Sequence, residues 1–181
     1  AHLRATGELD NTLILVTSDN GGCYEWGPFG FDEHSRQGVT RLHRGEQLQT
    51  MGGPGTHHSV GSGWSNLSNT PLRMYKHFAH EGGVAAPAIV HWPAGVAKPG
   101  RWVRQRGHLI DILPTLRDVA AADYPAKHNG QPIHAEEGQS LRPLFAGQTI
   151  ADRPLYFAHQ GARAIIDGDW KLVWSKREPK P

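Results

Sequence analysis

The sequence predicts an α/β chain that closes on a small antiparallel β module. Three observations carry this. Two short apolar runs, TLILVTS (12–18) and VAAPAIVHWP (84–93), are continuous rather than alternating, the pattern of strands buried on both faces. GHLIDILPTLRDVAAA (107–122) places apolar residues at 109, 110, 112, 113, 116 and 119, a helical stripe. RPLYFAHQGARAIIDGDWKLVWSK (153–176) alternates, and Asp167-Gly168 separates two strand-like runs, a hairpin signal.

The elements follow in order. AHLRATGELDNT at the start reads as the tail of an amphipathic helix carrying Leu3 and Leu9, as if the chain began in mid-element. After the first strand, residues 20–70 show almost no periodicity and are rich in Gly, Ser, His and aromatic residues. A loop of about fifty residues is long enough to suggest an active-site surround. TPLRMYKHFAHEGG (70–83) reads as a short helix, with Pro71 in its first turn and Gly82-Gly83 at its end. The second strand is closed by Pro93. In the next helix Pro114 marks a kink or the first turn. Residues 123–150 read as loop with a helical piece at SLRPLFAG.

Composition excludes more than it selects. The 181 residues carry a net charge of +2, which advertises neither a nucleic acid nor a charged membrane as partner. Hydrophobic residues make up 38%, and no apolar run is long enough to cross a bilayer. Cys23 is the one cysteine, so neither an internal disulfide nor a cysteine zinc cluster can form.

The chemistry gathers at SDNGG (18–22). Ligands of open α/β sheets collect beyond the carboxyl ends of strands, where Asp19 lies. Neighbours on a strand face opposite ways, so Asp19 and Asn20 serve one site only if the chain turns there, as Gly21-Gly22 permits. A carboxylate and an amide carbonyl suit Ca²⁺ or Mg²⁺, but two ligands are too few by themselves. The alternative is a turn that bonds its own backbone. Lys76 has two readings also: a solvated surface cation, or an ammonium that binds a tetrahedral anion.

Taken in order, LDNTLILVTSDNGG, NTPLRMYKHFAHEGGVAAPAIVHWPAGV, GHLIDILPTLRDVA, EGQSLRPLFAG and RPLYFAHQGARAIIDGDWKLV resemble the sulfatase family, most closely its bacterial arylsulfatase branch. The resemblance covers essentially the whole chain. It implies an alkaline-phosphatase-like α/β fold, a sheet flanked by helices, of which 1–150 would be the C-terminal part. Residues 151–181 would be a small, incomplete antiparallel subdomain.

The resemblance further implies hydrolysis of sulfate monoesters at a Ca²⁺ (or Mg²⁺) site, with Asp19 and Asn20 as metal ligands. It implies that Lys76 contacts the sulfate and the leaving-group oxygen. Family members use a formylglycine made within a C/S-x-P/A-x-R motif. Cys23, followed by Tyr-Glu-Trp-Gly, does not fit that motif, and no serine does. The expectation is therefore a C-terminal portion that needs the upstream part of the same polypeptide and is inactive alone.

The implied partner is a sulfated small molecule or glycan, and the implied location is periplasmic or secreted. His57, His58 and Trp64 are candidates to border the substrate cleft, or are plain loop residues. His77 and His80 read as helix-surface histidines, one of which could help position Lys76. Glu25, Asp32 and Glu33 are loop acids that face solvent or supply further ligands. Trp170 is expected in the core of the last hairpin. Two rivals stand beside the sulfatase reading. One is a phosphodiesterase, phosphatase or phosphonate hydrolase of the same superfamily, many of which carry Asp-His where this chain has Asp19-Asn20. The other is a catalytically dead homologue that binds sulfated glycans.

Overall fold

A computed structural model describes residues 1–25, 27–31, 43–54 and 58–176. In chain order its helices and strands are α1 (His2–Ala5), β1 (Ile14–Thr17), α2 (Gly61–Ser68), α3 (Glu81–Val84), β2 (Ala88–His91), α4 (Ile112–Ala120), β3 (Lys127–His128), β4 (Gln131–Pro132), α5 (Arg142–Phe145), β5 (Leu155–His159), β6 (Ala162–Asp167) and β7 (Trp170–Ser175). No helix among the described residues is long and apolar enough to cross a membrane. Two compact units form: Ala1–Val16 with Ala88–Arg153, and Thr17–Pro87 with Pro154–Pro181.

In the first unit β1 pairs with β2. Leu13, Leu15 and Val90 share an apolar interior with Ile112 and Leu116 of α4 and with Leu141 and Phe145. The expectation of strands buried on both faces is corrected here. Val16 and Ile89 are more than half exposed. Burial does not alternate along β1: Ile14 and Leu15 are half-buried and Val16 and Thr17 exposed, while in β2 only Val90 is half-buried.

The helical stripe at 107–122 is realised with a defined start. A 3₁₀ turn, Leu109–Asp111, leads into α4, and Pro114 lies in the first turn of the helix, where its missing N–H costs nothing. Asp111 is fully buried. Its carboxylate accepts from the His108 N–H (2.8 Å) and the Gln139 N–H (2.9 Å), and it is paired with Arg153. A charge with that many donors is tolerated in an apolar setting. Thr115 Oγ1 donates to the Asp111 carbonyl at 2.6 Å and accepts from the Leu141 N–H at 2.9 Å, which ties α4 to the chain entering α5.

In the second unit β5, β6 and β7 form an antiparallel sheet in that order. The Asp-Gly hairpin is present: Asp167 pairs with Trp170 around a Gly168-Asp169 turn. One sheet face packs inward, with Ala162 and Ala164 against Ala79, and Phe157 and Val173 beside them. Trp170 is 84% exposed, which corrects its assignment to the core. In β7 it is Lys171, Val173 and Ser175 that turn inward, so strict alternation sends Trp170, Leu172 and Trp174 outward.

The segment read as loop, 20–70, contains a helix, α2. It was missed because its buried residues are Gly61 and Ser65, while Trp64 and Leu67 point out at 67% and 58% exposure. Small residues let the helix lie close to another backbone: a Cβ on Gly22 would sit 3.1 Å from the Ser65 carbonyl oxygen. An apolar stripe is the usual helix signal, and here contact is made without one.

Candidate functional site

The site is built in the second unit from two turns laid against one another. Gly21 donates its N–H to the Gly83 carbonyl at 3.2 Å, and Lys76 donates its N–H to the Gly22 carbonyl at 3.2 Å. Asn69 locks the pair. Its Oδ1 accepts from the Gly22 N–H at 3.2 Å, and its Nδ2 donates to the Gly82 carbonyl at 2.9 Å and to the Met74 carbonyl at 3.0 Å.

The glycines serve contact more than torsion. A Cβ on Gly21 would lie 1.6 Å from the Gly82 oxygen, and one on Gly82 would lie 2.0 Å from the Met74 oxygen. Glu81, beside them, holds Lys171 of β7 at 2.6 Å, and that ammonium also lies 5.9 Å from the centre of the Phe157 ring.

The helix expected over 70–83 is not there. Only Glu81–Val84 is helical, and Lys76 lies on an irregular turn. Met74 (φ 66°) and His77 (φ 77°) adopt left-handed backbone, which a right-handed helix cannot accommodate. The backbone groups of this segment go instead to Asn69 and Gly22, as above, and the Gly82 N–H goes to the Arg73 carbonyl at 2.8 Å.

That turn brings Lys76 to Glu25. Glu25 Oε1 lies 3.0 Å from Lys76 Nζ and 2.7 Å from His77 Nε2. Cys23 Sγ donates to Glu25 Oε2 at 3.4 Å. The Glu25 pKa is held down at about 2, first by the His77 hydrogen bond and then, against the cost of burial, by Lys76. Lys76 is pushed up, chiefly by its hydrogen bond to Glu25, with a smaller attraction from Asp19. Both are therefore ionised at neutral pH.

Since Glu25 is an acceptor only, His77 Nε2 carries a proton. The other ring nitrogen, Nδ1, lies 3.3 Å from His159 Nε2 at the end of β5, and the two rings stack 5.5 Å apart. Thus His77 is not a helix-surface histidine but a nearly buried bridge between the Glu25 loop and the sheet. His80 is likewise buried, at 8% exposure.

Asp19 is exposed and Asn20 half-buried. Among the described residues the Asp19 carboxylate makes no hydrogen bond or ion pair. Asn20 spends its Nδ2 on the Gly21 carbonyl at 3.2 Å, which leaves Oδ1 as an unused acceptor. Asn20 also lines an open depression with Ser18, Gly22, Cys23, Asn69 and Pro87. Two hard oxygen donors with free lone pairs fit part of a Ca²⁺ or Mg²⁺ shell. Among the described residues no cluster of three or more His, Cys, Asp or Glu completes one.

His58 and Trp64 are exposed, Trp64 on the outward side of α2. His57, Asp32 and Glu33 lie outside the described residues. Sequence reasoning passed over Asn69 altogether. Its signal was an Asn immediately before Thr-Pro in a segment otherwise read as featureless.

The family model for sulfatases matches residues 1–122, two-thirds of the chain. This chain belongs to the sulfatase family. An uncharacterised sulfatase of Schizosaccharomyces pombe is 26% identical to it over 188 aligned positions, which cover 98% of this sulfatase chain and 32% of the relative. A sulfatase of Formosa agariphila is 37% identical over 142 positions, 78% of this chain and 18% of that protein. An arylsulfatase of Klebsiella aerogenes is 26% identical over 149 positions, 78% of this chain and 30% of its own length. The sulfatase chain thus spans less than a third of the length of these relatives.

Proposed function

We propose that these residues form one side of the catalytic site of a sulfuric ester hydrolase, on an alkaline-phosphatase-like α/β fold, acting on sulfate monoesters of small molecules or glycans. The observation that carries the reading is the lodging of a charged lysine, Lys76, against the turn that presents Asp19 and Asn20. The Lys76 N–H to Gly22 bond and the Asn69 clamp tie the backbone of Lys76 to the turn that carries Asp19 and Asn20, and the Asp19 charge acts on its ammonium.

In this reading the Asp19 carboxylate and Asn20 Oδ1 hold a Ca²⁺ or Mg²⁺ ion. When bound, that ion neutralises charge on the sulfate oxygens. Lys76 has three N–H donors, one of which is committed to Glu25. The remaining two are available to a sulfate oxygen and to the oxygen of the departing alcohol. They stabilise negative charge as the sulfur–oxygen bond breaks. Cys23 does not fit the formylglycine motif, so no step of the reaction is assigned to it. We assign the nucleophile and the remaining metal ligands to polypeptide outside these residues.

The test is an assay of the full-length polypeptide containing them, with 4-nitrophenyl sulfate and 4-nitrophenyl phosphate. The expected result is preference for the sulfate and a loss of about 10²–10³-fold in kcat for Lys76→Ala. Preference for the phosphate, with Lys76→Ala as active as the parent, overturns the reading.

A further inference from the structure

We infer that Glu25 is the positioning residue of Lys76: its carboxylate, itself fixed by His77 and Cys23, aims the ammonium at the substrate. The inference rests on the reading of Lys76 given above.

A lysine ammonium ends a flexible four-carbon stem and carries a large rotamer entropy. A turn can fix the Lys76 backbone but not its Nζ. What fixes Nζ is the Glu25 contact at 3.0 Å. That carboxylate is held by two side chains besides Lys76 and is mostly out of water. His77 Nε2 takes Oε1 at 2.7 Å, Cys23 Sγ takes Oε2 at 3.4 Å, and the Glu25 side chain is only 21% exposed.

His77 is fixed in turn, by its left-handed backbone, by His159 at 3.3 Å and by the edge of the Tyr24 ring at 5.6 Å. The order of dependence is therefore sheet and Tyr24, then His77, then Glu25, then Lys76. Lys76 retains 29% side-chain exposure, so the ammonium is oriented without being shut away.

A carboxylate beside an anion-binding cation has a second effect, of opposite sign. It offsets part of the attraction that draws the sulfate in. Glu25 therefore supports turnover at some expense of ground-state affinity. Disruption of the fold around it would weaken both.

The test is steady-state kinetics of the full-length polypeptide on 4-nitrophenyl sulfate, as a double-mutant cycle of Glu25→Gln with Lys76→Ala. Glu25→Gln is expected to lower kcat by about 10- to 100-fold, the scale of a misplaced catalytic group, with KM unchanged or lower. In the Lys76→Ala background the same substitution is expected to do nothing further. Glu25→Asp, one methylene short, is a second variant in case Glu25→Gln fails to fold. It is expected to lower kcat by a smaller factor, again without raising KM.

Parental kcat in Glu25→Gln or Glu25→Asp overturns the inference and leaves the role of Lys76 standing. A loss that raises KM and persists undiminished in the Lys76→Ala background also overturns it, because Glu25 then acts through the fold. Parental turnover in Lys76→Ala alone removes the reading on which the inference rests.

Discussion

Asn69 Nδ2 donates to the Gly82 carbonyl at 2.9 Å. The same side chain accepts from the Gly22 N–H, so one amide spans the turn after the first strand and the turn before the second. Among side chains this short, only the amide offers two N–H donors and a carbonyl acceptor on separate atoms. Asn69→Ala leaves the Met74 and Gly82 carbonyls and the Gly22 N–H without this partner, and is expected to destabilise by about 2–3 kcal/mol. Asn69→Asp keeps the acceptor but turns a charge toward two carbonyl oxygens, and is expected to cost at least as much. Urea unfolding of the two variants against the parent measures both.

The glycines of the two turns give a sharper contrast. Gly21→Ala places a methyl 1.6 Å from the Gly82 oxygen, and the backbones must part. Parting them breaks the Gly21–Gly83 bond and strains the Asn69 clamp, so loss of cooperative folding is expected. Gly63, in the middle of α2, has nothing within 4 Å of its would-be Cβ. Gly63→Ala is expected to stabilise the chain by about 0.5–1 kcal/mol through helix propensity alone. Thermal melts of the pair test the two arguments together.

What could be read in the sequence was whatever has a local pattern. The stripe from Leu109 to Val119 marks α4, and Asp167-Gly168 marks the last hairpin. Asn129-Gly130, both in left-handed backbone, turn the short hairpin of β3 and β4 and carried a readable signal that the loop reading of 123–150 passed over. What could not be read depends on partners remote in sequence. Glu25 meets His77 across 52 positions, and nothing in GCYEWG says so. α2 was invisible because Gly61 and Ser65, not an apolar face, make its contact. The helix expected to carry Lys76 is an irregular turn. Propensity cannot foresee Met74 and His77 in the left-handed region, where the surrounding hydrogen bonds hold them.

Glu25 also sets an acid limit. Its folded pKa is about 2 against an ordinary 4.5. A depressed carboxylate contributes stability that is fully present above the unfolded value and is lost as pH falls through the folded one. The contribution should therefore be complete at pH 6, decline from about pH 4.5 and be gone near pH 2. Glu25→Gln lacks the titration. Its Tm is expected to lie about 3–6 °C below the parent at pH 6, and the gap is expected to close in acid. A gap that stays constant from pH 6 to pH 3 contradicts the assigned ionisation.

Asp19 and Asn20 differ in what they contribute to a cation. Asp19 supplies a full charge from an exposed position, while Asn20 supplies a neutral oxygen whose amide nitrogen is anchored on the Gly21 carbonyl. Removing the charge should cost more than removing the dipole. In the full-length polypeptide, Asp19→Ala is expected to lower Ca²⁺ affinity by about 100-fold or more and Asn20→Ala by about 10-fold, roughly 2.7 and 1.4 kcal/mol. Because a bound ion stabilises only the folded state, the Tm increase produced by Ca²⁺ should shrink in the same order. Isothermal titration and Ca²⁺-dependent melting read the two effects separately. Parental Ca²⁺ affinity in both Asp19→Ala and Asn20→Ala would remove the pair from the metal shell, and the DNGG turn would then be a device for joining Gly21 to Gly83 and nothing more.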